Sequence, residues 1–156
     1  MINNLRKRLD NLVSWILIII MFLMVFTVLW QVFTRYVLEN PSSYTEELAR
    51  YLMIWVGVLG AAYVSGQNKH ISIDYFINKT SDNTQLMIKK IIIYIIIFFV
   101  FCAFFLGGLR LVYITYLLGQ FSPALQIPLS LVYFVVPVSG LLIIFYKVSD
   151  LINYCK

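Results

Sequence analysis

Four long apolar runs constrain the fold of this chain more than any other feature. They extend over Leu12–Phe33, Leu48–Val64, Ile91–Leu118 and Ile127–Tyr146. An α-helix needs about 20 apolar residues to cross a bilayer core of about 30 Å, and three of the runs reach that length unaided. The second reaches it when counted from Tyr44 to Gly66, with its charges at one end, where they cost less than at the bilayer centre. We therefore expect four transmembrane helices.

The composition agrees with an all-α integral membrane protein, because 62% of the residues are hydrophobic and only 12% are charged. We predict a single membrane domain over residues 1–156, with spans at about 12–34, 44–66, 89–118 and 127–149. The polar stretch between the second and third spans is interrupted by isoleucines and aromatic residues. We expect it to be a short interfacial segment on the membrane surface.

The distribution of basic residues predicts the orientation. Nine of the 12 lysines and arginines lie in the amino-terminal segment, the connection between the second and third spans, or the tail. Since cytoplasmic segments carry the excess of Lys and Arg, both termini are predicted to be cytoplasmic. The net charge of +5 then reflects topology and attraction to anionic lipid, and we expect no nucleic-acid partner.

Few residues could support catalysis or bind a metal. The two cysteines, Cys102 and Cys155, cannot form a four-ligand metal site, and one histidine cannot supply two axial haem ligands. No nucleophile lies beside a base, so we expect neither an enzyme nor a cofactor. His70 is interpreted as an interfacial hydrogen-bonding residue at the end of the second helix, with a pH sensor or a ligand as the alternative.

The informative polar residues lie between the first two spans. Pro41 blocks continuation of the first helix. Ser43 and Glu46 have the spacing of a capping box, which predicts that the second helix begins there. Glu46 and Glu47 would interact favourably with the positive end of the dipole of this helix. Arg50 is four residues from Glu46 and three from Glu47, so we expect all three to meet on one face.

Two stripes lead inward from this region. On the second helix, Gly57 and Ala61 form a small-xxx-small pair suited to close helix contact. On the first helix, Thr27, Gln31 and Arg35 are spaced by four and form a polar stripe. We expect the two stripes to face each other or a partner protein.

The charged residues at this end allow three interpretations. The simplest is an interfacial ion-pair network of Arg35, Glu46, Glu47 and Arg50 that holds the first two helices together. Docking to another membrane subunit is compatible with it. A substrate or proton site is the third, and it is disfavoured because cationic neighbours keep the acids ionised.

Three residues farther along the chain carry structural predictions. Trp55 lies about 12 Å deeper than Glu47 at the standard helical rise, which favours packing between helices or against a partner. Pro128 is acceptable at the start of the last span, whereas Pro137 lies inside it. We expect Pro137 to kink the helix and free the carbonyl of Tyr133.

The third apolar run is longer than a bilayer requires. Its 28 residues extend about 42 Å as a helix. We predict a long tilted helix, with a break at Gly107-Gly108 as the alternative.

Short segments along nearly the whole chain resemble one family. In chain order they are Arg35-Tyr36 with Pro41, Glu46-Glu47-Leu48-Ala49-Arg50 with Trp55, Gly60-Ala61-Ala62, His70-Ile71-Ser72-Ile73-Asp74, and Pro123-Ala124-Leu125 with Ile127-Pro128 and Pro137. Together with the four spans and the inferred topology, they are similar to the small membrane subunit of tripartite ATP-independent periplasmic (TRAP) transporters, the DctQ-like family.

The resemblance implies a scaffold in the bacterial inner membrane. It implies a heterodimer with a large membrane subunit that moves an organic acid with sodium, and a periplasmic substrate-binding protein that delivers the acid. Sialic acid is the substrate we favour, although no residue of this chain selects it. The alternatives are an autonomous homodimeric transporter and a membrane anchor of another complex. The first would need an acidic residue within a span, and we expect none deeper than Glu47.

Overall fold

The structure, a computed structural model, describes residues 2–39, 42–67 and 82–154. Because lipid offers no hydrogen-bond partner to the backbone, the apolar runs satisfy their amides as helices. In chain order the helices are α1 (Ile2–Tyr36), α2 (Ser43–Gly66), α3 (Asp82–Val100), a π-helical segment (Phe101–Leu106), α4 (Gly107–Leu117), α5 (Leu129–Tyr133) and α6 (Val135–Tyr154).

These helices confirm the predicted all-α fold with four spans. Within the part of the chain that the structure describes, four stretches are long and apolar enough to cross a membrane: Leu5–Tyr36, Ser43–Gly66, Met87–Leu117 and Leu129–Ile152. Their orientation stays a prediction. Of the expected interfacial segment between the second and third spans, residues 82–88 form the start of α3, and residues 68–81, with His70 and Asp74, lie outside the described residues, as does Pro41.

The last span occupies the middle of the bundle. In its most apolar stretch 39% of the residues are buried, against 17% in each of the other three spans. Helix α2 packs on one side of α6, and α3 with the π-helical segment packs on the other. Helix α1 packs mainly along α2. The bundle therefore has the spatial order α1, α2, α6, α3.

Helix α1 contacts α2 through one narrow seam. Its buried residues are Val13, Ile20, Thr27 and Thr34, each seven positions after the last. Half-buried residues lie between them. A period of 3.5 residues is typical of helices that pack along their whole length at a shallow angle. Most other large apolar side chains of α1 are exposed.

The third span continues through the glycine pair instead of breaking there. A six-residue π-helical segment, Phe101–Leu106, joins α3 to α4, which begins at Gly107. Close packing explains the glycines of this region. A Cβ at Gly108 would lie 3.0 Å from Pro137, and one at Gly140 would lie 2.9 Å from Cβ of Phe104. The third and fourth spans thus approach closely at these two glycines.

The last span is interrupted before Pro137, in agreement with the predicted kink. Helix α5 ends at Tyr133 and α6 begins at Val135. At the interruption, Nε1 of Trp55 donates a hydrogen bond of 3.1 Å to the carbonyl of Val132. Trp55 therefore joins α2 to the kinked region. Pro128 lies directly before α5, at the start of the last span.

Candidate functional site

The charged side chains of the described residues lie toward the two ends of the bundle. We call the end where α1 ends and α2 begins the connector end, because the loop of residues 118–128 (the connector loop) also lies there. We call the opposite end, where α1 begins and α6 ends, the termini end. At each end, polar contacts join segments that are distant in sequence.

At the connector end, Glu46 and Arg50 form an exposed ion pair. Nη2 of Arg50 lies 3.2 Å from Oε1 of Glu46, and the two side chains are 65% and 59% exposed. Gly57 and Ala61 are also exposed, on the same side of α2. A Cβ at Gly57 would meet nothing within 4 Å. The small-residue pair therefore does not face α1 but points away from the described part of the chain, which leaves the second alternative of the prediction, a partner protein.

Glu47 does not join this ion pair, contrary to the prediction that all three charged residues meet. Its side chain turns inward and is only 9% exposed. Oε2 accepts hydrogen bonds of 2.9 Å from the backbone amides of Ala124 and Leu125. The hydroxyl of Tyr51 donates to Oε1 at 2.9 Å. The carboxylate therefore fixes the connector loop to α2, since charge-assisted hydrogen bonds are the stronger kind.

The connector loop is compact because its own backbone closes it. The amide of Ser122 donates to the carbonyl of Ile127 at 2.9 Å, and the amide of Leu129 donates to the carbonyl of Gln120 at 3.0 Å. Ser122 is fully buried. These hydrogen bonds close the loop but leave the backbone amides of Ala124 and Leu125 without a backbone acceptor, and the carboxylate of Glu47 accepts from both.

The polar stripe predicted on α1 is only partly correct. Thr27 is buried and Gln31 is half-buried on the seam with α2, but Arg35 is exposed. Thr34 takes the next seam position. A spacing of four drifts off a face that repeats every 3.5 residues, which explains the error. The hydroxyls of Thr27 and Thr34 donate to carbonyls of α1 itself.

At the termini end, a buried carboxylate lies between two cations. Nη1 of Arg6 donates to Oδ1 of Asp150 at 2.6 Å, and Nζ of Lys147 lies 3.6 Å from Oδ2. The side chains of Lys147 and Asp150 are each 3% exposed, and that of Arg6 is 16% exposed. Buried charges of this kind are stable only when they are paired. These contacts join the start of α1 to α6.

The same two cations also bind the end of α2. Arg6 donates to the carbonyl of Gly66, and Lys147 donates to the carbonyl of Ser65 at 3.1 Å. The last carbonyls of a helix have no partner within it and carry the negative end of its dipole. The cluster of Arg6, Lys147 and Asp150, which we call the termini cluster, therefore connects three helices.

Tyr146 completes the packing around this cluster. It is fully buried, and its ring lies 5.7 Å from the guanidinium carbon of Arg6. A Cβ at Gly66 would lie 3.0 Å from the ring. Gly66 thus allows α2 to end directly against Tyr146, where Arg6 can reach its carbonyl.

Sequence reasoning missed the termini cluster because it treated Arg6 and Lys147 only as topological charges. A signal was present in the sequence: Asp150 is an acid three residues after Lys147, at an end of the bundle rich in basic residues. An acidic residue near the end of a span is expected to pair with a nearby basic residue.

The middle of the bundle offers no charged group for solute chemistry. No Asp, Glu, Lys, Arg or His occurs within residues 11–34, 51–66, 91–109 or 129–146. Among the described residues, no three His, Cys, Asp or Glu side chains lie close enough to hold a metal ion. The charged residues with described partners lie toward the two ends of the spans, where they join helices, bind the connector loop or pair on one helix face.

Fold and contacts together define a multi-pass helical membrane protein whose buried charges join helices. Residues 24–155 match the model of the family described as tripartite ATP-independent periplasmic transporters, DctQ component, and the chain belongs to this family of TRAP transporter small permease subunits. The resemblance stated from the sequence is confirmed. A subunit of this kind is part of a transporter and not an enzyme.

Two relatives agree with this assignment. A Haemophilus influenzae protein named as a TRAP transporter small permease is 28% identical over 98% of this chain and 93% of its own length. The sialic acid TRAP transporter small permease protein SiaQ of Vibrio cholerae is 32% identical over 53% of this chain and 47% of its own length.

Proposed function

We propose that this chain braces a large membrane subunit in a TRAP transporter that imports an organic acid with sodium. A periplasmic binding protein would deliver the acid, and the large subunit would carry the solute and ion sites. Membership in the family supports the assembly. The absence of charged residues from the middle of all four spans supports the division of labour, because a solute path needs polar groups at that depth.

The exposed face of α2 is the surface we propose for the large subunit. It combines the Glu46–Arg50 ion pair with Gly57 and Ala61, where no described residue fills the space beside Gly57. Small residues let a second helix approach closely in a membrane, where packing rather than hydrophobicity drives association. The ion pair at the edge would fix the orientation of that helix.

Charge reversal at Arg50 tests the proposed surface. The Arg50→Glu variant should recover less of the large subunit on affinity purification from mild detergent. The Arg110→Glu variant is the matched control, since Arg110 is exposed near the same end but on α4, across α6 from α2. Unchanged recovery and uptake with Arg50→Glu would contradict the proposal, as would equal losses in both variants.

The substrate we propose is sialic acid, in line with the named substrate of the Vibrio cholerae relative. Uptake of labelled sialic acid by vesicles that contain all three components, driven by a sodium gradient, tests it. A dicarboxylate serves as the competing solute. Uptake of the dicarboxylate without uptake of sialic acid would refute sialic acid as the substrate, while the proposed scaffold role would still hold.

A further inference from the structure

A groove between the first and last spans opens near the termini end. Its volume is about 300 Å³. Helix α1 contributes Leu9, Leu12 and Ile16 to its walls, and α6 contributes Val138 and Leu142. Leu12 and Ile16 are 55% and 37% exposed, so the groove opens to the surroundings of the bundle.

The lining of this groove is entirely apolar. Trp55 is the only side chain in it with a polar atom, and its Nε1 donates to the carbonyl of Val132, so the indole presents its ring. A dry apolar slot of this kind suits hydrocarbon and not a polar solute. A partner helix, with a diameter of about 10 Å or more, could cover the groove but could not enter it.

Arg8 lies beside one flank of the groove. It is four residues before Leu12 and eight before Ile16, and therefore lies about one turn beyond the groove on the flank that Leu12 forms. Its side chain is exposed, and it forms no ion pair with another described residue. Arg6, on the other flank, is already bound to Asp150 and Gly66.

We propose that the groove binds an anionic phospholipid, with an acyl chain between α1 and α6 and the phosphate against Arg8. The hydrophobic length and the cation at one end match the two halves of such a lipid. A guanidinium is well suited to phosphate because its donors form a planar fork. The site is independent of the α2 surface and of the transported solute.

Lys7 provides a matched control. It is adjacent to Arg8, equally charged and exposed, but lies on the opposite side of α1 from the groove. Diffuse attraction to an anionic membrane would depend equally on both residues, whereas a bound lipid depends on Arg8.

Fluorescence of Trp55 tests the site in the full chain. Trp15 and Trp30 are exposed and are first replaced by phenylalanine, which leaves Trp55 as the one tryptophan. The protein is reconstituted in phosphatidylcholine vesicles that contain a minor fraction of brominated phosphatidylglycerol or, in parallel, brominated phosphatidylcholine. Brominated phosphatidylglycerol should quench the fluorescence of Trp55 at a lower mole fraction than brominated phosphatidylcholine does. The Arg8→Gln variant should weaken that preference about fivefold, and Lys7→Gln should leave it unchanged.

A second variant tests the acyl-chain half of the site. Val138→Phe places a larger apolar side chain in the groove and should reduce quenching by both lipids, and circular dichroism checks that the helices are retained. Equal quenching by the two lipids, or equal effects of Arg8→Gln and Lys7→Gln, would overturn the proposal. Absence of quenching by either lipid would mean that the groove is closed or covered by a second copy, and would overturn it too.

Discussion

The two ends of the bundle use charge differently. At the termini end, Asp150 is buried between Arg6 of α1 and Lys147 of α6. Both cations also donate hydrogen bonds to the last carbonyls of α2. At the connector end, Glu46 and Arg50 pair on one exposed helix face. Glu47 is buried there, but its partners are neutral backbone amides and a hydroxyl.

This difference separates charges that hold the chain together from charges available to a partner. A buried ion pair contributes little compared with apolar residues of similar shape, yet removal of one member leaves an uncompensated charge. An exposed pair contributes little to stability and can change partners at low cost. We infer that the termini end is fixed, and that the α2 face at the connector end is where assembly is decided.

The largest effect is expected from Asp150→Asn. The change removes the carboxylate that contacts both Arg6 and Lys147 and should lower the free energy of unfolding by about 3–5 kcal/mol. Denaturant titration in detergent micelles, followed by circular dichroism, measures it. Addition of Arg6→Gln should restore part of the loss. If Asp150→Asn were as stable as the parent, the termini cluster would not hold the helices together.

Gly140→Ala is expected to have the next largest effect. Its Cβ would lie 2.9 Å from Cβ of Phe104 and 3.3 Å from the amide nitrogen of Phe105, so the π-helical segment must move. Overpacking of this kind costs about 1–3 kcal/mol. Gly57→Ala is the control, and it should be neutral or stabilising by up to about 1 kcal/mol because the site is open and helical. Equal effects in the same micelle assay would show that the close approach at Gly140 is incorrect.

Glu47→Gln should have a local effect. The Gln side chain is neutral and accepts only on one oxygen, so the backbone amides of Ala124 and Leu125 lose a charged acceptor, and the hydroxyl of Tyr51 competes with them for that oxygen. Hydrogen exchange followed by mass spectrometry should show faster exchange in the connector loop, while α6 stays protected. Glu46→Gln is the control and should leave the loop unchanged. Unaltered exchange in Glu47→Gln would mean that the loop closes without this carboxylate.

The smallest change in stability is expected from Glu46→Gln. An exposed pair spaced by four on a helix contributes about 0.3–0.5 kcal/mol, and salt weakens it. The free energy of unfolding in micelles is measured for the parent and for Glu46→Gln at low and at high salt. The difference between the two proteins should be smaller at high salt. A loss comparable to that of Asp150→Asn would remove the distinction between the two ends.

The spans could be predicted from the sequence because their apolar length has few alternatives in a membrane. The break near Pro137 followed from a missing amide and a steric clash within one helix. Contacts between distant residues did not follow in this way. Glu47 and Ala124 are separated by 77 positions, and no pattern in either segment indicates that the two residues are in contact.

Two details of side-chain placement could not be read from spacing alone. The stripe on α1 was assigned a spacing of four, but the buried residues Thr27 and Thr34 are seven apart, as expected for helices that follow each other. Gly57 and Ala61 were expected to face either α1 or a partner protein, and they point outward, whereas Gly108 and Gly140 make close contacts within the chain. Spacing shows which residues share a face, but it does not show which face is covered.

Transport by reconstituted vesicles tests the central claim most directly. The chain is inserted alone, and then together with its large subunit and binding protein, and uptake of labelled organic acid is measured under a sodium gradient. The account predicts no uptake by the chain alone and uptake by the complete set. Solute uptake by the chain alone would contradict it.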